Sequence, residues 1–398
     1  MSDPNSAQPY IPSETGVAKS DLPNKVTQLE RAAASLAGAA ASPVLQTLEQ
    51  HMRAINSYYS NMIEGHTTHP RDIRSALAGE LSDDPHKRNL QLESLAHIRV
   101  QDKLATMAAT YTDACSPSFI CDIHRCFYQE MPKEFRKVSV GGKDYEIKPG
   151  QYRDHPVAVG LHEPPPVESL PAFMDFFGET YGNKYLTGER RVIAIMAAHH
   201  RLAWIHPFLD GNGRTARLHT DALLKAAGVR GTGVWCLSRG LARKSTQYKA
   251  ALADADSARR GTHDGRGALS EQALIKFCDF MLDVALDQVD YIAQLLDLKG
   301  MRKRIKAYVQ ARQDGRVIGM QPLDPYALSI LEKAYIYGEV ERRELFEASP
   351  YKERKTRQII SELKSDGLIT ETSSRSPLRW AIPSHAESHY FPELTPTA

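Results

Sequence analysis

Four side chains able to handle a phosphate ester fall within the run of twelve residues from His206 to Arg217: His206, Asp210, Arg214 and Arg217, set around Gly211-Asn212-Gly213. Glycines at 211 and 213 let consecutive backbone N–H groups converge on one concavity, and a helix starting there adds the positive end of its dipole. Anions bind at such a place. Arg214 and Arg217, three apart at a helix start, share a face from which guanidinium groups grip phosphate with fork geometry. Asp210 at the rim suits a divalent cation, because Mg²⁺ usually takes one or two carboxylates beside substrate phosphate oxygens. His206 has an ordinary pKa near neutrality and can take a proton from an attacking hydroxyl. The set reads as nucleotide, metal and base.

Two helices must hold this loop. Val192, Ile193, Ile195, Met196, Leu202 and Ile205 recur at roughly helical spacing before it, and Ala216, Leu218, Ala222, Leu223 and Leu224 behind it, which predicts a buried helix, a tight loop and a second helix. His199 and His200 precede the loop, but a helix cannot bring adjacent histidines to one metal. His199 is therefore expected to pack or hydrogen-bond behind the loop.

The run agrees at all nine fixed positions with H-P-F-x-D/E-G-N-G-R-x-x-R, the signature of the Fic family, which the chain resembles. The resemblance implies a mainly α-helical fold, a Fic-type bundle with a small β-hairpin flap. It implies adenylylation: AMP passes from ATP, with Mg²⁺, to a Ser, Thr or Tyr hydroxyl of a target protein or of the enzyme itself. His206 would be the general base, Asp210 the metal ligand, Gly211, Asn212, Gly213 and Arg214 the phosphate cradle, and Arg217 the holder of the γ-phosphate. Lys244 to Tyr248 looks like the family's helix beside the adenine. Relatives often carry two adjacent tyrosines there, whereas this chain has Gln247-Tyr248, so only Tyr248 carries over.

Upstream, Ser60-x-x-x-Glu64-Gly65 resembles the inhibitory motif of one Fic class. Ser60 and Glu64, four apart, share a helix face, and Gly65 suits the position just past a helix end, which presents Glu64 at the tip. In such a class Glu64 would pair with Arg217 and take the space of the γ-phosphate. The segment Gly150 to Arg153, followed by Val157, Ala158, Val159, Gly160 and Pro164-Pro165-Pro166, resembles the family's flap. Its edge backbone would pair with an extended stretch of the target. Two other uses of the site stay open: removal of AMP or transfer of another phosphate-bearing group, with Glu64 positioning water, and nucleotide sensing by a DNA-binding regulator.

Composition narrows the setting. With 398 residues the chain exceeds the usual single core, and 42% hydrophobic with 25% charged residues is ordinary for a globular protein. The net charge of +2 gives no global case for nucleic acid or membrane. No apolar run approaches a span of roughly 20 residues, and the N-terminus lacks a signal-peptide core. Five scattered cysteines suit a reducing compartment, so a cytoplasmic location is expected.

Along the chain, residues 1–25 read as a flexible N-terminal segment, 26–115 as a helical region carrying the inhibitory helix, and 116–298 as the catalytic core. A linker helix is expected over 299–319, a domain over 320–383 and a tail over 384–398. Helical patterns at Leu328 to Tyr335, Arg342 to Ala348 and Lys352 to Asp366, then Leu368 to Thr370 and Arg379 to Ile382, give winged-helix order. Lys352, Arg354, Lys355 and Arg357 could meet DNA phosphates, but Met320 to Pro383 holds ten basic and ten acidic residues. A neutral domain is a poor duplex binder, so docking on protein or a homodimer stands beside DNA as its use.

Overall fold

The computed structural model describes residues 3–107, 110–140, 142–392 and 394, and divides into two compact units. Unit one comprises residues 1–33, 56–232 and 236–288; unit two comprises 34–55, 233–235 and 289–398.

In chain order the helices of the first part are α1 (Glu14–Ala18), α2 (Leu22–Ala37), α3 (Ser42–Ile63), α4 (Pro70–Leu77), α5 (Pro85–Met107), α6 (Tyr111–Ala114) and α7 (Pro117–Gln129). A hairpin follows, β1 (Lys137–Val140) against β2 (Lys143–Glu146), antiparallel with Lys137 opposite Glu146. Then come α8 (Leu170–Tyr181), α9 (Gly188–Ile205), α10 (Asn212–Ala226), α11 (Leu237–Arg243), α12 (Ser245–Ala255) and α13 (Glu271–Leu296). The fold is mainly α, as the signature implies, and its hairpin lies at residues 137–146, ahead of the segment from Gly150 read as the flap.

The centre of unit one is α9. Every residue from Val192 to Leu202 is buried, polar His199, His200 and Arg201 included, so this helix is enclosed on all sides. α10 packs antiparallel to it through the tight loop between them. α7 is started by Ser116, whose side chain accepts from the Phe119 N–H, with Pro117 at the first helical position where its missing N–H costs nothing. α3 ends at Ile63 and is closed by Gly65, in the left-handed region at φ 86°, with the His66 N–H returning to the Asn61 carbonyl at 3.0 Å. That closure satisfies a carbonyl the helix end leaves open.

The N-terminal segment departs from expectation. Residues 3–25 form a 3₁₀ turn at Pro4–Ala7, then α1 and the start of α2, and Ala7, Tyr10, Val17 and Leu22 are buried. The Pro9 carbonyl accepts two hydrogen bonds from Arg201, at 3.0 and 2.8 Å, and the Tyr181 hydroxyl donates to the Tyr10 carbonyl at 2.6 Å. Prolines here shape an extended strap whose carbonyls satisfy a buried guanidinium and a buried hydroxyl, so the segment is packed and not flexible.

Unit two contains α14 (Leu298–Gln313), α15 (Tyr326–Tyr337), β3 (Glu339–Val340), α16 (Arg342–Glu347), α17 (Glu353–Ser365), β4 (Ile369–Thr370), β5 (Leu378–Trp380) and α18 (Ser384–Tyr390). Its three short strands are antiparallel in the order β3-β5-β4, over a core with Ile330, Leu345, Ile359, Leu363 and Trp380. From α15 onward the three helices and the β4–β5 pair follow the order read from the sequence, while β3 adds a third strand between α15 and α16 and α18 forms within the stretch expected to be a tail. Two of the four basic residues considered for DNA are paired with acids: Arg357 with Glu353, and Lys355 with Asp324 at 3.7 Å. Among the described residues no helix is long and apolar enough to cross a membrane.

Candidate active site

α9 ends at His206, which takes the left-handed conformation at φ 50°, an uncommon state for a side chain other than glycine. The surroundings fix it. Arg153, itself buried, donates from Nε to the His206 carbonyl at 2.9 Å, and its N–H donates to the Pro207 carbonyl at 2.8 Å. The Asn212 side chain closes the loop from within, accepting from the Phe208 N–H at 2.9 Å and donating to the Phe208 carbonyl at 2.8 Å. Its amide is thus spent on the loop, so what Asn212 offers an anion is its backbone N–H, one of the first-turn groups a helix cannot satisfy internally.

His206 Nδ1 lies 3.3 Å from the Ala203 carbonyl and can only donate to it, which leaves Nε2 as a proton acceptor. Burial pushes its pKa down to about 4, so the ring is neutral at physiological pH. The side chain opens onto a cavity of about 900 Å³ lined also by Glu64, Asn212, Gly213, Arg217, Tyr248, Leu252 and the segment Val159 to Glu163. Of the flap residues expected to dock a target, Val159 and Gly160 line this cavity and Val157 and Ala158 do not. The segment has no extended strand; a single bridge pairs Val159 with His162.

Arg217 is almost wholly buried and is engaged through Nε and NH2 by the end of α3. Its Nε donates to Ser60 Oγ at 2.9 Å, and its terminal NH2 donates to the Ser60 carbonyl at 2.9 Å and to Glu64 Oε1 at 2.6 Å. Burial would raise the Glu64 pKa, but Arg217 and then Arg214 outweigh it and hold the carboxyl below its ordinary value. A Cβ at Gly213 would collide with Glu64 Oε1, so only glycine there admits the carboxylate to the start of α10.

Asp210 and Arg214 do not line the cavity, which ends at Glu64 and Arg217. They form a second layer. Arg214 donates from NH2 to Asp210 Oδ2 at 3.0 Å and to the Tyr128 hydroxyl at 3.2 Å, and from NH1 it is ion-paired with Glu93. Its guanidinium also lies over the Phe127 ring at 4.9 Å, and burial brings its pKa down to about 10. The Tyr128 hydroxyl donates to Asp210 Oδ2 at 2.5 Å, while His124 Nε2–H donates to the Asp210 carbonyl at 3.2 Å. His124 Nδ1 accepts the Gly150 N–H at 2.9 Å, which fixes that tautomer. Tyr248 lines the cavity, and its hydroxyl bonds His199 Nε2 at 2.7 Å. Sequence reading had no signal for Glu93 or Tyr128, which arrive from α5 and α7 far upstream.

Residues 114–224 match the model of the Fic/DOC family. This stretch is a Fic/DOC domain. The chain is similar in sequence to the protein adenylyltransferase Fic of Drosophila willistoni, 40% identical over 82 residues that are 21% of this chain and 16% of the relative. It is also similar to those of Nematostella vectensis, 29% over 174 residues (43% and 37%), and Aedes aegypti, 29% over 184 residues (46% and 34%). The chain thus spans well under half the length of these curated relatives. In fold it resembles a Fic family protein from Desulfovibrio desulfuricans, with TM-score 0.51 and 18% identity, covering 90% of this chain and 96% of that one. It also resembles Fic-1 of C. elegans, with TM-score 0.54 and 16% identity, covering 70% and 73%.

Proposed function

We propose that the protein is an adenylyltransferase that moves AMP from ATP to a hydroxyl side chain of a target protein, and that Glu64 holds it in a resting state. The observation that carries this reading is that one cavity presents an Nε2-basic His206, the N-terminus of α10, and an arginine, Arg217, already occupied by a carboxylate at 2.6 Å. A phosphate-gripping group held by an internal acid is a site waiting for an anion.

The chemistry follows from the groups present. The triphosphate lies across the first turn of α10, whose N–H groups and dipole favour anions. His206 Nε2 takes the proton of the target hydroxyl as its oxygen forms a bond to the α-phosphorus. The bond from that phosphorus to the bridging oxygen breaks, and pyrophosphate leaves. A neutral histidine suits the task, since a protonated ring could not accept. Asp210, oriented through Oδ2 by Arg214 and Tyr128 and with 41% of its side chain exposed, would hold Mg²⁺, and the bound ion would supply charge neutralisation there. The segment Val159 to Glu163 on the cavity rim would align the target chain by its backbone.

With Glu64 on Arg217, ATP can enter, but its γ-phosphate lacks a partner and the α-phosphate is misaligned for in-line attack. The Glu64→Gly variant, incubated with Mg-ATP and weighed intact by mass spectrometry, should gain the mass of AMP on itself or on added lysate proteins. No gain in either, with ATP bound, overturns the reading; release of AMP from a modified target would favour the reverse reaction at the same site.

A further inference from the structure

Arg214 has three donor nitrogens, and the structure accounts for two. NH2 is taken by Asp210 and Tyr128, NH1 by Glu93, while Nε is buried without a partner. Glu93 comes from α5 and is 5% exposed. Neither it nor Arg214 lines the cavity, so Glu93 meets the guanidinium away from the open space that Glu64 shares with His206. Glu64 and Glu93 therefore differ in kind. Glu64, with a third of its side chain exposed, occupies a place that a phosphate can claim; Glu93 is a permanent counterion in the protein interior.

Glu93 makes a second contact. His66 Nδ1 lies 2.8 and 3.1 Å from its two carboxylate oxygens. His66 is two residues beyond Glu64, in the turn that closes α3, and its own N–H caps that helix through Asn61. One buried carboxylate thus joins the guanidinium of the signature helix to the turn that carries Glu64.

We propose that Glu93 is a positioning residue for Arg214, holding its guanidinium against Asp210 behind the phosphate site and within electrostatic reach of the place Glu64 occupies, and that the His66–Glu93 contact latches the inhibitory turn to that same arginine. The inference rests on the adenylyltransferase reading for its kinetic readout, but its binding readout does not. A planar guanidinium with one edge pinned by Glu93 and NH2 pinned by Asp210 cannot swivel. Without Glu93 the buried charge loses its counterion, and Arg214 is free to turn onto Asp210 alone. Without His66 the guanidinium stays in place while the turn bearing Glu64 loses an anchor. The two substitutions should act in opposite directions.

The test uses the full chain, with the folded state checked by thermal melting. In the Glu64→Gly background, Glu93→Ala should raise both the Mg-ATP dissociation constant by calorimetry and the KM of autolabelling by about tenfold or more. Glu93→Gln, which keeps the volume and one acceptor, should recover part of that, and it carries the comparison should the alanine variant not fold. In the otherwise native chain His66→Ala should raise basal autolabelling severalfold, and in the Glu64→Gly background it should change nothing. Unchanged ATP affinity and KM in both Glu93 variants overturn the positioning role, and unchanged basal labelling in His66→Ala overturns the latch. Should Glu64→Gly bind ATP yet transfer nothing, the proposed function fails, while calorimetry on the Glu93 variants still decides the positioning role.

Discussion

Removing the Glu64 carboxylate should release Arg217 and accelerate transfer, and the structure sets the size of the effect. Glu64 Oε1 stands 2.6 Å from the Arg217 NH2, a charge-assisted hydrogen bond. Two unit charges about 4 Å apart attract by roughly 4 kcal/mol at an effective dielectric of 20 before desolvation is subtracted. With a third of the Glu64 side chain exposed, the lower range for hydrogen bonds to charged groups applies, about 1.5–3 kcal/mol. That corresponds to roughly ten- to 150-fold in the population of the competent state, and so in initial rate. Arg217 is not left loose, because its two bonds to Ser60 persist. Glu64→Gln keeps the shape and one neutral hydrogen bond, so it should fall between wild type and Glu64→Gly. Adding Arg217→Ala to Glu64→Gly should abolish the gain. The assay is the initial rate of label incorporation from α-labelled ATP across ATP concentrations. Equal rates for wild type and Glu64→Gly, or an undiminished gain in the double variant, refute the reasoning.

Three further outcomes follow from the surrounding shell. Asn212→Ala leaves the buried Phe208 N–H and carbonyl without partners and should cost about 2–4 kcal/mol, read as a lower urea midpoint; an unchanged midpoint counts against the loop clamp. Tyr128→Phe removes the hydroxyl that orients Asp210, so the Mg²⁺ concentration for half-maximal autolabelling should rise about tenfold, and an unaltered Mg²⁺ dependence would separate Asp210 from metal binding. Burial lowers His97 and His199 to about 3 and His124, His206 and His219 to about 4, from an ordinary 6.5. Between those values the unfolded chain binds protons the folded one refuses. This contribution to stability is therefore full above about pH 6.5 and falls as pH drops toward about 4 and, for His97 and His199, about 3, by roughly 1.4 kcal/mol per unit of depressed pKa at each site. A urea midpoint that stays constant from about pH 7 to about pH 5 contradicts it.

The signature loop was legible because its chemistry is contiguous: base, acid, glycines and arginines lie within one run, and the helical periods on either side place it between α9 and α10. Gly65 was legible for a similar reason, since a glycine after an apolar helical run has one common use. Glu93 and Tyr128 were not, because an acid or a tyrosine on an amphipathic helix carries no local mark of the guanidinium it meets after folding. The first 25 residues misled for the opposite reason. Their prolines and polar residues resemble a segment unable to bury surface, yet Tyr10 and the Pro9 carbonyl find partners at Tyr181 and Arg201, more than 170 positions away. Pairing at that range leaves no periodicity to read.

The central claim is that His206 is the base for AMP transfer in a cavity restrained by Glu64. Its most direct test compares Glu64→Gly with the double variant Glu64→Gly, His206→Ala, each given α-labelled ATP and each titrated with Mg-ATP by calorimetry. The expected result is equal ATP affinity in the two proteins, with label on the first and none on the second, because Nε2 acts on the incoming hydroxyl and not on the phosphates. Labelling of the double variant at the rate of Glu64→Gly would contradict the account.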